Sequence, residues 1–243
     1  MLPVVPERRL RLLGRLVQPG QPLVSTERLC QVCAEATATH GAAIMLVRDG
    51  LSQGSVCTSD GVSALIEDLQ FTLGEGPCLD ASRYGRPVLE PDLAAAGAGR
   101  WIAFGPPAIE AGVRAVFGFP IRVGAAGLGA LNLYRRRSGP LTDEQHADAV
   151  VLADIAAELI LLMQAEASPG ELAVELEAGA SVHYVVHQAS GMVSVQLGVS
   201  VDQALVRLRA HAFRTGKPLA DVARRVVERT LRFRPDDEPG GTR

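Results

Sequence analysis

Apolar positions recur at steps of three and four in three successive runs near the C-terminus, the spacing that places side chains on one helix face. The first run is Val182, Val185, Val186, Ala189, Val193 and Leu197. The second is Val201, Ala204, Leu205, Leu208 and Ala212, and the third is Leu219, Val222, Ala223, Val226, Val227 and Leu231. Punctuation agrees with the spacing. Ser200 with Gln203 three residues on reads as a capping box for the second helix, and Gly216 suits the left-handed residue that ends it. Pro218, with φ preset near the helical value, suits the first turn of the third. Three short helices that can bury their stripes only against each other predict a small all-α bundle.

Toward the N-terminus the period changes. A helix over Thr26–Thr39, with Leu29, Val32, Cys33 and Ala36 inward, precedes strands at Ala42–Arg48 and Gly54–Thr58 around a turn at Asp49–Gly50. Asp60–Gln70 reads as a helix and Pro77 as the start of another. Strands follow at Pro87–Glu90, Arg114–Val123 and Gly127–Arg135, with Trp101–Ala111 a helix between them despite Pro106 and Pro107. A sheet built on the Arg114–Arg135 hairpin and flanked by helices predicts an α+β domain.

The stretch joining the two halves opens with a second capping box, Thr142 with Gln145. From Ala149 to Met163 nearly every residue is apolar, Asp154 and Glu158 excepted. Such a run is shorter than the roughly 20 residues of a membrane span, and a helix apolar nearly all round is covered on more than one side. One side can cover the sheet. For the stripe Val151, Ile155, Leu159 and Leu162 a mate across a two-fold axis is expected, which predicts a homodimer; the alternative is that Leu10–Val17 folds back over it. Before that, Arg8, Arg9, Arg11 and Arg15 interleave with leucines in a basic amphipathic segment, expected to pack on protein rather than on a membrane.

Composition adds bounds. At 243 residues, 47% hydrophobic and 21% charged, the chain has ordinary globular composition and room for one or two domains. Met1–Val5 is too short for a secretory apolar core, and four cysteines without such a leader predict a reducing, cytoplasmic setting. Cys30 and Cys33 form a C-x-x-C, but inside a helix and without a second pair they read as small buried hydrophobes. No phosphate loop, metal-ligating histidine cluster or cofactor motif is evident.

Net charge of −3 hides an asymmetry. Between Ser200 and Arg234 stand Arg207, Arg209, Arg214, Lys217, Arg224, Arg225, Arg229, Arg232 and Arg234, against Asp202, Asp221 and Glu228. Helical spacing groups Arg207, His211 and Arg214 on one face, and Arg225, Arg229 and Arg232 on another. Guanidinium pairs with phosphate bidentately, so the one-sided sign points to a polyanion, although any surface helix needs a solvated face.

The same residues carry a resemblance. His187-Gln-Ala-Ser-Gly-Met192, Gln-Leu-Gly-Val-Ser200, Ala204, Leu205, Leu208-Arg-Ala210, Gly216-Lys-Pro-Leu219 and Asp221-Val-Ala223 are similar to an ANTAR domain. The resemblance implies a three-helix module that binds RNA hairpins in transcription antitermination, usually as a dimer. Where that family commonly has Ala-Lys-Gly, this chain has Ala189-Ser190-Gly191, so the first helix's polar face is His183, His187, Ser190 and Ser194. The candidate RNA-binding residues are Arg207, His211, Arg214, Lys217, Arg224, Arg225, Arg229 and Arg232, with His187 and Ser190.

Upstream, Gly74-Glu-Gly-Pro-Cys78, Ala81, Gly85-Arg-Pro-Val88, Asp92-Leu93, Trp101, Phe104, Gly112-Val113, Val116, Phe119-Pro120 and Gly129-Ala-Leu-Asn-Leu-Tyr134 resemble the GAF domain that precedes ANTAR domains in actinobacterial regulators. That likeness implies a sensor or dimerising scaffold, with a small-molecule pocket about Gly74, Glu75, Gly76, Cys78, Trp101 and Phe119; no cofactor follows from it. The expected organisation is an extension over 1–23, a GAF-like domain over 24–166, a helical linker over 167–181, an ANTAR-like domain over 182–234 and a disordered tail over 235–243. The expected protein is a cytoplasmic RNA-binding regulator and not an enzyme. Two other readings stay open: a DNA-binding regulator using the same basic helices, and a thiol redox enzyme pairing Cys57 with Cys78.

Overall fold

The computed structural model describes residues 4–17, 25–48, 51–166 and 181–234. The expected turn at Asp49–Gly50, most of the 167–181 linker and the 235–243 tail lie outside them. The chain divides into two compact units, Met1–Ala173 and Val174–Arg243.

The larger unit contains a five-stranded antiparallel sheet of order β2-β1-β5-β4-β3. Its strands are β1 (Gly41–Arg48), β2 (Leu51–Thr58), β3 (Val88–Glu90), β4 (Ala115–Val123) and β5 (Ala126–Arg135). The helices are α1 (Val4–Leu16), α2 (Thr26–Ala36), α3 (Gly61–Leu73), α4 (Pro77–Tyr84), α5 (Leu93–Arg100), α6 (Gly105–Glu110) and α7 (Asp143–Glu166). Strand parity divides them. Met45, Ala130, Val116 and Tyr134 face α3 to α6 in one core with Ile66, Cys78, Leu79, Leu93, Trp101 and Phe104. Ile44, Leu131 and Phe119, in register with one another, lie on the opposite face with α2 and α7.

Three expectations change here. Pro106 and Pro107 occupy the first turn of α6, where a missing N–H leaves no helical bond unmade, so the helix begins at Gly105 and not at Trp101. Cys30 of α2 and Cys57 of β2 form a disulfide, with Cα atoms 6.0 Å apart, because α2 lies over the edge strand. The C-x-x-C is therefore not a pair of free small hydrophobes: one member is bonded, and Cys33, one turn on, is buried and free. Finally, α1 folds back onto α7. Asp148 of α7 accepts from both Arg8 and Arg11, the latter at 2.7 Å, and Arg9 meets Glu158 at 2.5 Å. Leu12, Leu16, Val151 and Ile155 are all buried within one chain, so Val151 and Ile155 need no mate; Leu162 remains 59% exposed and Leu10 69%.

The smaller unit holds α8 (Ser181–Leu197), α9 (Val201–Thr215) and α10 (Leu219–Val227). The Ser200–Gln203 capping box is formed in both directions, and Gly216 ends α9 at φ 62°. Val186, Ala189, Val193, Leu205, Leu208, Leu219, Val222 and Val226 make its core. The third stripe stops short of Leu231. Arg229 takes φ +60°, its N–H bonds to Val226 O, and the N–H of Thr230 bonds to Arg225 O, a Schellman closure with arginine in the left-handed seat.

Candidate functional site

Because α9 runs unbroken through residues 201–215, Arg207, His211 and Arg214 keep the helical spacing that puts them on one face. Arg214 Nη2 lies 3.3 Å from His211 Nδ1. Arg225, Arg229 and Arg232 do not share a helix face, since α10 ends before Arg229 and the left-handed turn redirects the chain. Arg224 reaches Asp221 Oδ1 at 2.8 Å, an exposed pair, and Lys217 and Arg232 are exposed. Arg209 is half-buried, and burial lowers its guanidinium pKa to about 10, still charged near neutrality.

Ser190 is not part of this surface. It is buried in the bundle, and its hydroxyl donates to Val186 O at 2.8 Å, one turn back along α8. His187 is half-buried, and the side chain of His183 is outside those described. Spacing alone did not separate Ser190 from the polar face, because it adjoins Ala189 on the inward stripe and closes its own hydrogen bond.

After the Arg229 turn the chain runs back toward α9. Phe233 is buried, its N–H donates to Gln196 Oε1 of α8 at 2.8 Å, and its ring lies 5.3 Å from that of His211. Between the end of α9 and this returning segment is a cleft of about 390 Å³, lined by His211, Arg214, Leu231, Arg232, Phe233 and Arg234. On α9, Phe213 stands 82% exposed beside Arg214. An aromatic residue that far out among cations is a stacking platform in chemical terms. Sequence reasoning passed over both phenylalanines; Phe213, which falls off the apolar stripe of its own helix, was the available signal.

In the larger unit the Gly74–Cys78 stretch is built into the architecture. Gly74 caps α3 at φ 71°, and the Glu75 carboxylate accepts from the N–H groups of Ala103 and Phe104, fixing the entry to α6. At Gly76, φ 138°, a Cβ would run into the Gln70 side chain. Gln70 Oε1 in turn accepts from Cys78 N at 2.8 Å, and Trp101 Nε1 donates to Asp80 at 3.1 Å. Phe119 does not join this group. It lies on the other sheet face, edge-on to His146 of α7 at 5.2 Å, because strand parity turns it away from Gly118, whose neighbours are Pro77 and Ala81.

Beneath the stretch is a polar cluster that sequence reading missed. Glu67 is buried, with Oε1 accepting from Asn132 Nδ2 at 3.0 Å and Gln70 Nε2 at 3.4 Å. Glu67 Oε2 and Asn132 Oδ1 have no partner among the described residues. Burial pushes the Glu67 carboxyl up to about 8, so it is protonated near neutrality and supplies a donor among acceptors. The Cys78 thiol is raised by burial and then by Glu67, and Cys33 by burial to about 12. Cys57 is bonded to Cys30, so the Cys57–Cys78 pair does not form. A high-pKa buried thiol is a poor nucleophile.

Residues 26–160 match the model of the GAF domain, and residues 175–227 match that of the ANTAR domain. Among solved structures, the GAF domain of a phosphoenolpyruvate-protein phosphotransferase from Coxiella burnetii is 20% identical with a TM-score of 0.50, covering 66% of this chain and 96% of that one. The corresponding GAF domain from Acinetobacter is 12% identical at a TM-score of 0.49, over 69% and 99%. A search of curated proteins finds no match. Among the described residues no helix is long and apolar enough to cross a membrane.

Proposed function

The chain belongs to the GAF domain family and carries an ANTAR domain behind it, and on that premise we propose that it is a signal-responsive RNA-binding regulator acting by transcription antitermination at RNA hairpins. GAF followed by ANTAR is the architecture of a regulator, a signal-sensing module joined to an RNA-binding one. The observation that carries the reading is the arginine-rich surface of the smaller unit, where Arg207, His211 and Arg214 line one face of a capped helix. The signal enters through the larger unit, with a small molecule on the α3 to α6 side of the sheet, where protonated Glu67 leaves a donor open and Asn132 Oδ1 an acceptor. Sequencing RNA that co-purifies with the protein, followed by competition between an enriched hairpin and duplex DNA, tests the RNA class. Preference for duplex DNA overturns it in favour of a DNA-binding regulator.

The regulator works as a homodimer in this reading. Support comes from the apolar residues that remain outside after α1 has docked, Leu10 within α1 and the adjacent Leu161 and Leu162 near the end of α7, which a partner would cover. Light scattering at micromolar concentration is expected to give twice the chain mass. A monomer there overturns the dimer while leaving RNA binding to its own test.

A further inference from the structure

We propose that the cleft between the end of α9 and the returning 231–234 segment seats one unpaired nucleotide of the bound RNA. Arg214, Arg232 and Arg234 surround its phosphate, and its base lies against His211 and Leu231. The inference rests on the RNA-binding reading and makes it specific to one site.

Size, sign and rigidity point the same way. At about 390 Å³ the cleft falls toward the small end of cavities that hold a compact ligand. Among the described residues its lining holds Arg214, Arg232 and Arg234 and no acid, so an anionic group is the natural occupant. A phosphate alone would leave the apolar wall unused. Leu231 and the imidazole of His211 supply a partly apolar portion of the lining beside the cations, which is what a nucleobase requires.

The wall is also held in place. Phe233 is buried, anchored by its N–H to Gln196, and backs the His211 ring at an interplanar angle of 59°. Arg214 Nη2 lies 3.3 Å from His211 Nδ1. The left-handed Arg229 and the bonds of Thr230 and Leu231 to Arg225 O turn the segment back toward α9, so the site exists before RNA arrives.

Duplex RNA keeps its bases stacked and paired, and only a loop or bulge can splay one into a cavity. The cleft therefore distinguishes a hairpin loop from its stem, whereas Arg224, exposed on α10, reads phosphates of either. Leu231, Arg232, Phe233 and Arg234 all stand beyond residue 227, where the ANTAR match ends. With His211 and Arg214 inside the match, the site combines α9 with a segment beyond it.

The test uses the full-length protein and a hairpin selected by it from a library with a randomised eight-nucleotide loop. Binding is measured by fluorescence anisotropy, beside a fully paired duplex of the same stem. Arg232→Ala with Arg234→Ala, both at exposed positions, is expected to weaken hairpin binding at least tenfold and duplex binding less than threefold. His211→Ala removes the base wall and not a fixed cation. It is expected to lower hairpin affinity about tenfold, the scale of one lost base stack, with the salt slope unchanged. Arg224→Ala serves as the charge control and is expected to affect hairpin and duplex alike. Equal losses on hairpin and duplex for the 232/234 pair, or no loss, overturn the nucleotide seat while leaving RNA binding intact. Failure of the parent protein to enrich any hairpin overturns the RNA reading, and the seat with it.

Discussion

In the larger unit Glu75 lies against the backbone of Ala103 and Phe104, and Arg135 is enclosed by Pro140, Gln145 and Thr37 at 2.9, 2.7 and 3.4 Å. Asp148 there holds two arginines of α1. In the smaller unit Arg214, Lys217, Arg224 and Arg232 reach into solvent around a core of short aliphatic residues. Both units are rich in charge, yet one turns it inward to join elements and the other turns it outward. Polar groups enclosed by protein carry a large penalty when a partner is lost, whereas exposed ones carry almost none. Substitution of charge should therefore damage folding in the first unit and binding in the second.

Asp148→Ala should produce the largest loss. It leaves Arg8, whose side chain is 11% exposed, with only the exposed Glu144 carboxylate at 3.8 Å, and breaking a buried pair of this kind costs about 3–5 kcal/mol. Urea unfolding of the larger unit is expected to shift accordingly, with α1 becoming open to limited proteolysis. An unchanged midpoint would show that the charges of this unit are not structural.

Replacing Cys30 and Cys57 together with Ser should cost about 3.5 kcal/mol, the chain-entropy scale for a loop of 27 residues. The shift should vanish when parent and variant are compared under reductant. RNA binding by the smaller unit should stay as it was, which is the sharper half of this experiment.

Glu67 predicts a pH dependence with a definite sign. Its pKa stands above the ordinary 4.5, at about 8, so across that interval the folded chain holds a proton that the unfolded chain has released. Stability is complete below the lower value and falls as pH rises toward the upper, by about 1.4 kcal/mol per unit. Glu67→Gln, neutral at every pH, should flatten this slope in thermal melts between pH 5 and 8. A parallel decline in parent and variant would assign the slope elsewhere.

The smallest effect on folding, and a clear one on binding, is expected for Arg225→Ala with Arg229→Ala. Unfolding should move by no more than about 0.5 kcal/mol. Hairpin affinity should fall, and the salt slope should flatten by about one to two because fewer counterions are released. A large loss of stability would show that the left-handed turn at Arg229, rather than charge, is what these residues supply.

Much of this contrast was legible before the structure. Capping pairs such as Ser200–Gln203 and Thr142–Gln145 are local, so four residues of sequence contain the whole interaction. Strands of period two and helices of period three to four survive for the same reason. What escaped was set by partners distant in the chain or by conformations without punctuation. The Cys30–Cys57 bond depends on α2 lying over β2, and Glu67 meets Asn132 across 65 residues. Arg229 ends α10 in a conformation usually marked by glycine, so the stripe seemed to continue to Leu231. Phe119 belongs to the right strand and the wrong side, since parity in a strand is fixed by register and not by hydrophobicity.

The sheet ends in two poor edges: β3 is three residues long, and the pairing of β1 with β2 shifts register twice, between Ile44 and Met45 and between Leu46 and Val47. A fresh strand needs a long, straight row of open N–H and C=O groups to add to, and neither border offers one. Copies of this chain are thus discouraged from stacking sheet to sheet into fibres, and association is left to its helices.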